Sequence, residues 1–323
     1  MDRREFVSAI AGSFLAVPLV GNTQPRIYRV GIVLPGGAFA QAVEGLKDGL
    51  RDLGFAEGTH YVLHVRDEKG DLKAAAEAAR NLEQEKVNLI FSVTTSISLA
   101  VKRATENVPI VFYSGGDPVD AGLVQSFAKP GGRLTGISSL AVDLVPKRLE
   151  ILKEISPKLR RVVTFYDPTN PIARESAASA RAAAQQLGLE LDQREVRSVE
   201  ELRAGLRTLK TEEGDAIFLT ADAMVISQAQ SIVEVAKAKK LLTMFTERSS
   251  VVGGGLASYG MSYYAVGRLA AKYVYGVLLG NSPADMPVER FDRFELVLNA
   301  RTARDIGLTL PSLVLLRADE VIQ

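Results

Sequence analysis

The sequence predicts an α/β protein made of two doubly wound, Rossmann-like parallel-sheet lobes joined by a hinge of three crossings. Three observations carry this. Short apolar runs alternate with helix-period stretches from residue 26 onward. The same alternation restarts at Arg161. After Phe245 it breaks, leaving one long helix and one strand with no sheet of their own. Strand–helix alternation of this kind builds parallel sheets with helices on both faces.

Val30 to Leu34 is an apolar run bounded by turn signals, as in a buried strand. Val43, Leu46, Leu50 and Leu53 follow at helical spacing, and Gly54 ends that helix. Tyr61–Val65 reads as a strand, Leu72–Leu82 as an alanine-rich helix and Val87–Phe91 as a strand. Ile97–Ala104 is a helix and Ile110–Tyr113 the next strand. In the second half, strands are predicted at Arg161–Tyr166, Leu189–Leu191, Ala216–Leu219 and Leu242–Phe245. Helices are predicted between them at Ile172–Leu187, Val199–Leu209 and Val225–Lys239. Val266, Leu269, Ala270, Tyr273, Val274, Val277 and Leu278 then line one face of a helix that stops at Gly280. Phe294–Leu298 is a strand.

A lone helix and a lone strand cannot bury their apolar faces by themselves, so they return to the lobes already formed. The chain is therefore expected to cross between lobes near 135–139, 256–260 and 288–294. The first lobe takes 26–136 with 260–288, and the second takes 140–256 with 293–323. Such hinges close lobes around ligands.

Composition narrows the function. Of 323 residues, 47% are hydrophobic and 24% charged, with a net charge of +1, so the basic excess of a nucleic-acid binder is missing. The longest basic run is Lys237-Ala-Lys-Lys240, the solvated end of a helix. With no cysteine, disulfides, thiolate metal sites and cysteine nucleophiles are excluded. At the N-terminus, Arg3 and Arg4 precede an apolar stretch from Val7 to Val20, too short to span a bilayer. Residues 1–24 are read as a signal peptide, with Arg3-Arg4-Glu5-Phe6 resembling a twin-arginine signature. A periplasmic location is expected.

Ligands of open parallel sheets bind beyond the carboxyl ends of the strands, so the loops there hold the candidate site. Ser92, Thr94, Thr95 and Ser96 run into a helix whose first N–H groups favour an anion such as a ligand carboxylate. Ser and Thr are also ordinary helix caps. Asp117, Asp167 and Asp222 each follow a strand and would suit a ligand ammonium, although capping is again the common alternative. Asn170 belongs to the same loop as Asp167. Phe39 and Tyr263 could cover apolar bulk.

Enzyme signatures are missing: there is no G-x-G-x-x-G after the first strand, no phosphate-binding loop with its lysine and no G-x-S-x-G elbow. The two histidines, His60 and His64, bracket one strand without a third ligand, so no metal or cofactor is expected.

The order of loops resembles the bacterial ABC-transporter substrate-binding proteins of the tryptophan/tyrosine-binding type. The matching stretches are Gly115-Gly-Asp-Pro-Val119 with Gly122-Leu-Val124, Pro130-Gly-Gly-Arg-Leu-Thr-Gly136, Asp167-Pro-Thr-Asn-Pro171, and the tail from Ile306-Gly-Leu-Thr-Leu-Pro311 to Leu316-Arg-Ala-Asp-Glu-Val-Ile322. The resemblance implies the type I periplasmic binding-protein fold and capture of a small solute outside the cytoplasm. It also implies delivery to a membrane permease with its ATPase subunits. It leads to a monomer that binds an amino acid or aromatic acid and performs no catalysis. Many such proteins carry Asn where Arg133 stands here. Two other readings stay open: a soluble sensor domain of the same fold, or an unrecognised α/β enzyme.

Overall fold

The computed structural model describes residues 27–323; the signal-peptide expectation for residues 1–24 lies outside them. Along the chain the first half contains β1 (Tyr28–Leu34), α1 (Gln41–Asp52), β2 (Tyr61–Asp67), α2 (Leu72–Gln84), β3 (Leu89–Val93), α3 (Thr95–Ala104), β4 (Ile110–Ser114) and β5 (Leu134–Ser138). Next come α4 (Val145–Ile155), β6 (Arg161–Tyr166), α5 (Pro171–Gln186), β7 (Glu190–Glu195), α6 (Val199–Thr208), β8 (Ala216–Phe218), α7 (Ala223–Ser227), α8 (Ala229–Lys239) and β9 (Leu242–Phe245). The last quarter holds α9 (Arg248–Val252), β10 (Ala257–Gly260), α10 (Tyr263–Leu278), β11 (Glu289–Arg290), β12 (Glu295–Asn299), α11 (Ala300–Asp305), α12 (Ser312–Arg317) and β13 (Glu320–Ile322).

The strands form two sheets, ordered β11-β5-β4-β3-β1-β2 and β13-β12-β10-β9-β8-β6-β7. β10 and β12 run antiparallel, and every other named pair is parallel. Parallel strands covered by helices on both faces must be apolar throughout, and β3 and β4 are buried at every position. Each sheet reverses its winding once, between β1 and β3 in the first lobe and between β6 and β8 in the second. The loops beyond those strands therefore border the crevice of each lobe.

The chain crosses between the lobes after β5, between β10 and α10, and between β11 and β12. The long apolar helix α10 packs on α1 and on β4 and β5 of the first lobe, while β12 joins the second sheet, as its lone-element status required. Glycines make the α1–α10 contact close. A Cβ on Gly45 would stand 1.9 Å from the Tyr264 carbonyl oxygen, and one on Gly267 would stand 2.0 Å from that of Ala42.

Two elements differ from expectation. The helix predicted at Val225–Lys239 is two helices broken at Gln228, because Asp222 starts a helix early by accepting the amides of Met224 and Val225. The short strand predicted at Leu189–Leu191 extends to Glu195 along β6. Arg133 lies at the opening of β5, at the far end of that strand from the crossing. Its guanidinium donates to Thr105 Oγ1 and to the carbonyls of Lys102, Thr105 and Val108, satisfying the C-terminal end of α3. His64 Nδ1 lies 3.1 Å from Glu85, and His60 Nδ1 accepts the Ala56 amide. No cluster able to hold a metal occurs among the described residues.

Candidate ligand-binding cleft

The crevices of the two lobes face each other and enclose about 510 Å³ of empty space, part of it open to solvent. The first lobe contributes Phe39 from the loop after β1 and Thr94, Thr95 and Ser96 from the start of α3. Tyr113 closes that side at the end of β4, and the second lobe contributes Arg148, Asn170, Ile172 and Thr246. Met261 and Tyr263 stand at the second crossing.

The aromatic wall is a contiguous trio. Tyr263 packs on Phe39 with ring centroids 4.5 Å apart, and its edge meets Tyr113 at 5.9 Å. Such pairs gain about 0.5–1.5 kcal/mol beyond area burial and hold one another's orientation. The Tyr113 hydroxyl bonds Ser139 Oγ at 2.9 Å, which fixes the wall to the first crossing. Burial pushes the Tyr113 and Tyr263 phenols well up, so both stay neutral.

At the start of α3, Thr94 holds φ 90°, a backbone region that strains a residue with a side chain by about 1–3 kcal/mol. Its carbonyl already accepts the Ser98 amide and hydroxyl, so the turn is tied from behind. The Thr95 hydroxyl pairs with Ser114 Oγ at 2.8 Å and accepts the Gly115 amide at 3.1 Å. It thus positions the loop after β4, and what remains for a ligand is backbone: the first-turn amides of Thr95 and Ser96 have no intrahelical acceptor. Asn170 caps α5 through its Oδ1, which accepts the Ile172 amide at 3.1 Å.

Arg148 is the cation of this cleft. It is 1% exposed, and no ion pair is found for it among the described residues. Its guanidinium donates to the carbonyls of Ala141 at 2.8 Å and Leu219 at 3.3 Å, and its Nε has no partner. Burial lowers its pKa to about 10, still far above neutrality, so the charge persists. An isolated buried charge costs several kcal/mol unless paired. The buried Thr246 lines the same volume, with its side chain against the Tyr263 phenol. Arg148 thus brings an unfilled donor to a residue that lines this volume.

Of the residues singled out in the sequence, Phe39, Thr94, Thr95, Ser96, Asn170 and Tyr263 are brought together here. Ser92, Asp117, Asp167 and Asp222 are not on this wall. Ser92 is fully buried behind α3 and bonds Ser98. Asp117 accepts the amides of Val119 and Asp120 in its own turn. Asp167 accepts the Thr169 amide and hydroxyl. Asp222 caps α7 and takes the Asp167 amide at 2.7 Å. Asp167 and Asp222 border an adjoining narrow crevice that shares Ser96, Asn170 and Ala223 with the cleft. Burial raises the Asp222 carboxyl to about 6. Arg148, Ile172 and Met261 were not anticipated as site residues.

The lobes touch across the cleft through glycines. A Cβ on Gly37 would meet the Ser227 carbonyl oxygen at 2.6 Å, and one on Gly116 would meet Ile172 Cδ1 at 2.4 Å. Contacts this close require closed lobes.

A family model described as "ABC transporter substrate binding protein" matches residues 29–322. A tyrosine-binding protein of Clostridioides difficile (strain R20291) is 27% identical over 269 residues, covering 83% of this chain and 77% of that protein. The structure of an ABC domain in complex with L-Trp from Streptococcus pneumonia is 25% identical with a TM-score of 0.82, covering 92% of this chain and 100% of that one. A ligand-free, open substrate-binding protein with adhesive properties from Clostridium difficile has the same identity, 25%, and the same coverages, 92% and 100%, but a TM-score of 0.61. Identity and coverage being equal, the contrast fits lobes arranged here as in the liganded protein, in agreement with the interlobe contacts.

Proposed function

Because the chain belongs to the family of ABC transporter substrate-binding proteins, we propose that it captures a small organic carboxylate, an amino acid or aromatic acid, between its lobes and delivers it to an importer's permease and ATPase subunits. The carboxylate sits on the second lobe against Arg148 and Thr246, and the amides of Thr95 and Ser96 add electropositive character from the first. The aromatic trio covers the apolar body. The single observation that carries this reading is the fully buried Arg148 on the cleft wall, whose guanidinium meets two carbonyls but no anion among the described residues and whose Nε has no hydrogen bond. The relatives that bind tyrosine and L-Trp support both the carboxylate and the aromatic body. The closing bodies are 26–136 with 260–288 and 140–256 with 293–323.

A thermal-shift panel of carboxylic acids, their carboxamides and neutral sugars tests this. An acid at a hundred times its Kd stabilises the protein by about 2.7 kcal/mol, and its carboxamide does not. Equal stabilisation by carboxamides or sugars contradicts the reading.

Capture takes place outside the cytoplasm, and residues 1–24 direct export by the twin-arginine route that their Arg3-Arg4 pair resembles. Mass measurement of protein from the native cell envelope should find a chain that starts near residue 25. An intact Met1 in a cytoplasmic fraction contradicts it.

A further inference from the structure

We infer that this cleft selects aromatic monocarboxylates lacking an α-ammonium over the zwitterionic amino acids of the same skeleton. The inference rests on the proposed capture of a carboxylate by Arg148 and narrows its ligand class.

Among the described residues, Arg148 is the one charged side chain on the cleft wall. A monoanion would neutralise it. A zwitterion would leave the closed cleft with a net positive charge and an ammonium to be housed. The second electropositive feature, the N-terminal end of α3 at Thr95 and Ser96, also disfavours an ammonium. The nearby carboxylates are committed elsewhere: Asp222 holds the amides of Asp167, Met224 and Val225, Asp167 holds Thr169, Asp117 holds Val119 and Asp120, and Glu247 holds Ser249 and Ser250. Around the remainder of the second-lobe wall, Ile172, Ala221, Ala223 and Ile226 offer no polar side chain. An ammonium buried there meets no carboxylate on the cleft wall itself, which is the penalised arrangement for a desolvated ion.

Asn170 is the position where a carboxylate could have stood. It lines the cleft, and its cap on α5 would survive as aspartate, since Asp and Asn are equivalent N-caps.

Calorimetry on the full chain with three matched pairs tests this: 3-(4-hydroxyphenyl)propanoate against L-tyrosine, 3-phenylpropanoate against L-phenylalanine, and indole-3-propanoate against L-tryptophan. In the pair that binds best, the acid without the amino group should bind about tenfold or more tighter, as expected for an unpaired buried ion. Asn170→Asp should move that ratio toward the amino acid by about tenfold or more. An amino acid that binds the wild-type protein as tightly as its acid overturns this inference and leaves the carboxylate reading standing. Binding of the carboxamides as tightly as the acids, or of no member of any pair, overturns both.

Discussion

Replacing Arg148 with methionine is expected to weaken carboxylate binding by about a hundredfold or more while leaving the unliganded protein about as stable as before. The two expectations have one cause. In the unliganded protein Arg148 is a buried cation without an anion, which costs several kcal/mol. Its two hydrogen bonds to the carbonyls of Ala141 and Leu219 offset part of that. Arg148→Met removes the charge and orphans two buried acceptors, each worth about 1–3 kcal/mol, so gain and loss are of similar size. The methionine chain retains much of the packing of the arginine stem. In the liganded protein there is no such balance, because the ion pair is lost outright. Arg148→Lys should fall between, keeping a charge without the planar fork. Calorimetry and urea unfolding check the pair. Unchanged affinity would remove Arg148 from the site, and a large loss of stability without ligand would make it a structural residue.

Gly45→Ala is expected to destabilise the fold by about 2–4 kcal/mol and to weaken ligand binding with it. On an ordinary helix, alanine in place of glycine stabilises by about 1 kcal/mol. Here the added methyl would lie 1.9 Å from the Tyr264 carbonyl oxygen and 3.0 Å from the Arg268 amide nitrogen, both backbone atoms that cannot rotate away. α10 would have to lift from α1. That movement strains the Tyr264–Asp48 hydrogen bond, 2.6 Å long, and the Arg268–Asp52 ion pair beside it. It also moves Tyr263, the first residue of α10, out of its contact with Phe39. Denaturant unfolding reads the stability and calorimetry the affinity. A stability equal to or above that of the wild type would show that overpacking does not dominate at this contact.

The sheets were legible in the sequence because parallel strands buried on both faces leave unbroken apolar runs, as in Val30–Leu34 and Ile110–Tyr113. The α1–α10 contact was not, since Gly45 and Gly267 within their helices say nothing of a partner more than 200 residues away. Half of the site was legible by topology: the rule that ligands lie beyond strand ends reached Phe39, Thr94, Thr95, Ser96, Asn170 and Tyr263. The same rule cannot separate a carboxylate that meets a ligand from one that caps its own chain, as Asp117 and Asp222 do with two following amides each and Asp167 does with the Thr169 amide and hydroxyl. Arg148 was missed because no strand end points to it. Its signal was present nonetheless: Val145, Leu149, Leu152 and Ile155 form a buried stripe at helical spacing, and Arg148 sits on it. A charge on the buried face of a helix needs a counter-charge, and here the described residues supply two carbonyls but no anion.

The central claim is that the cleft holds a carboxylate on the second lobe. A crystal structure of the protein with the tightest-binding acid from the panel tests it most directly. The account predicts closed lobes and carboxylate oxygens about 2.7–2.9 Å from Arg148 Nε and a neighbouring guanidinium nitrogen, with the ring against Tyr263 and Phe39. A ligand whose carboxylate lies away from Arg148, on Ser96 or at the Asp222 crevice with no anion on Arg148, would contradict it.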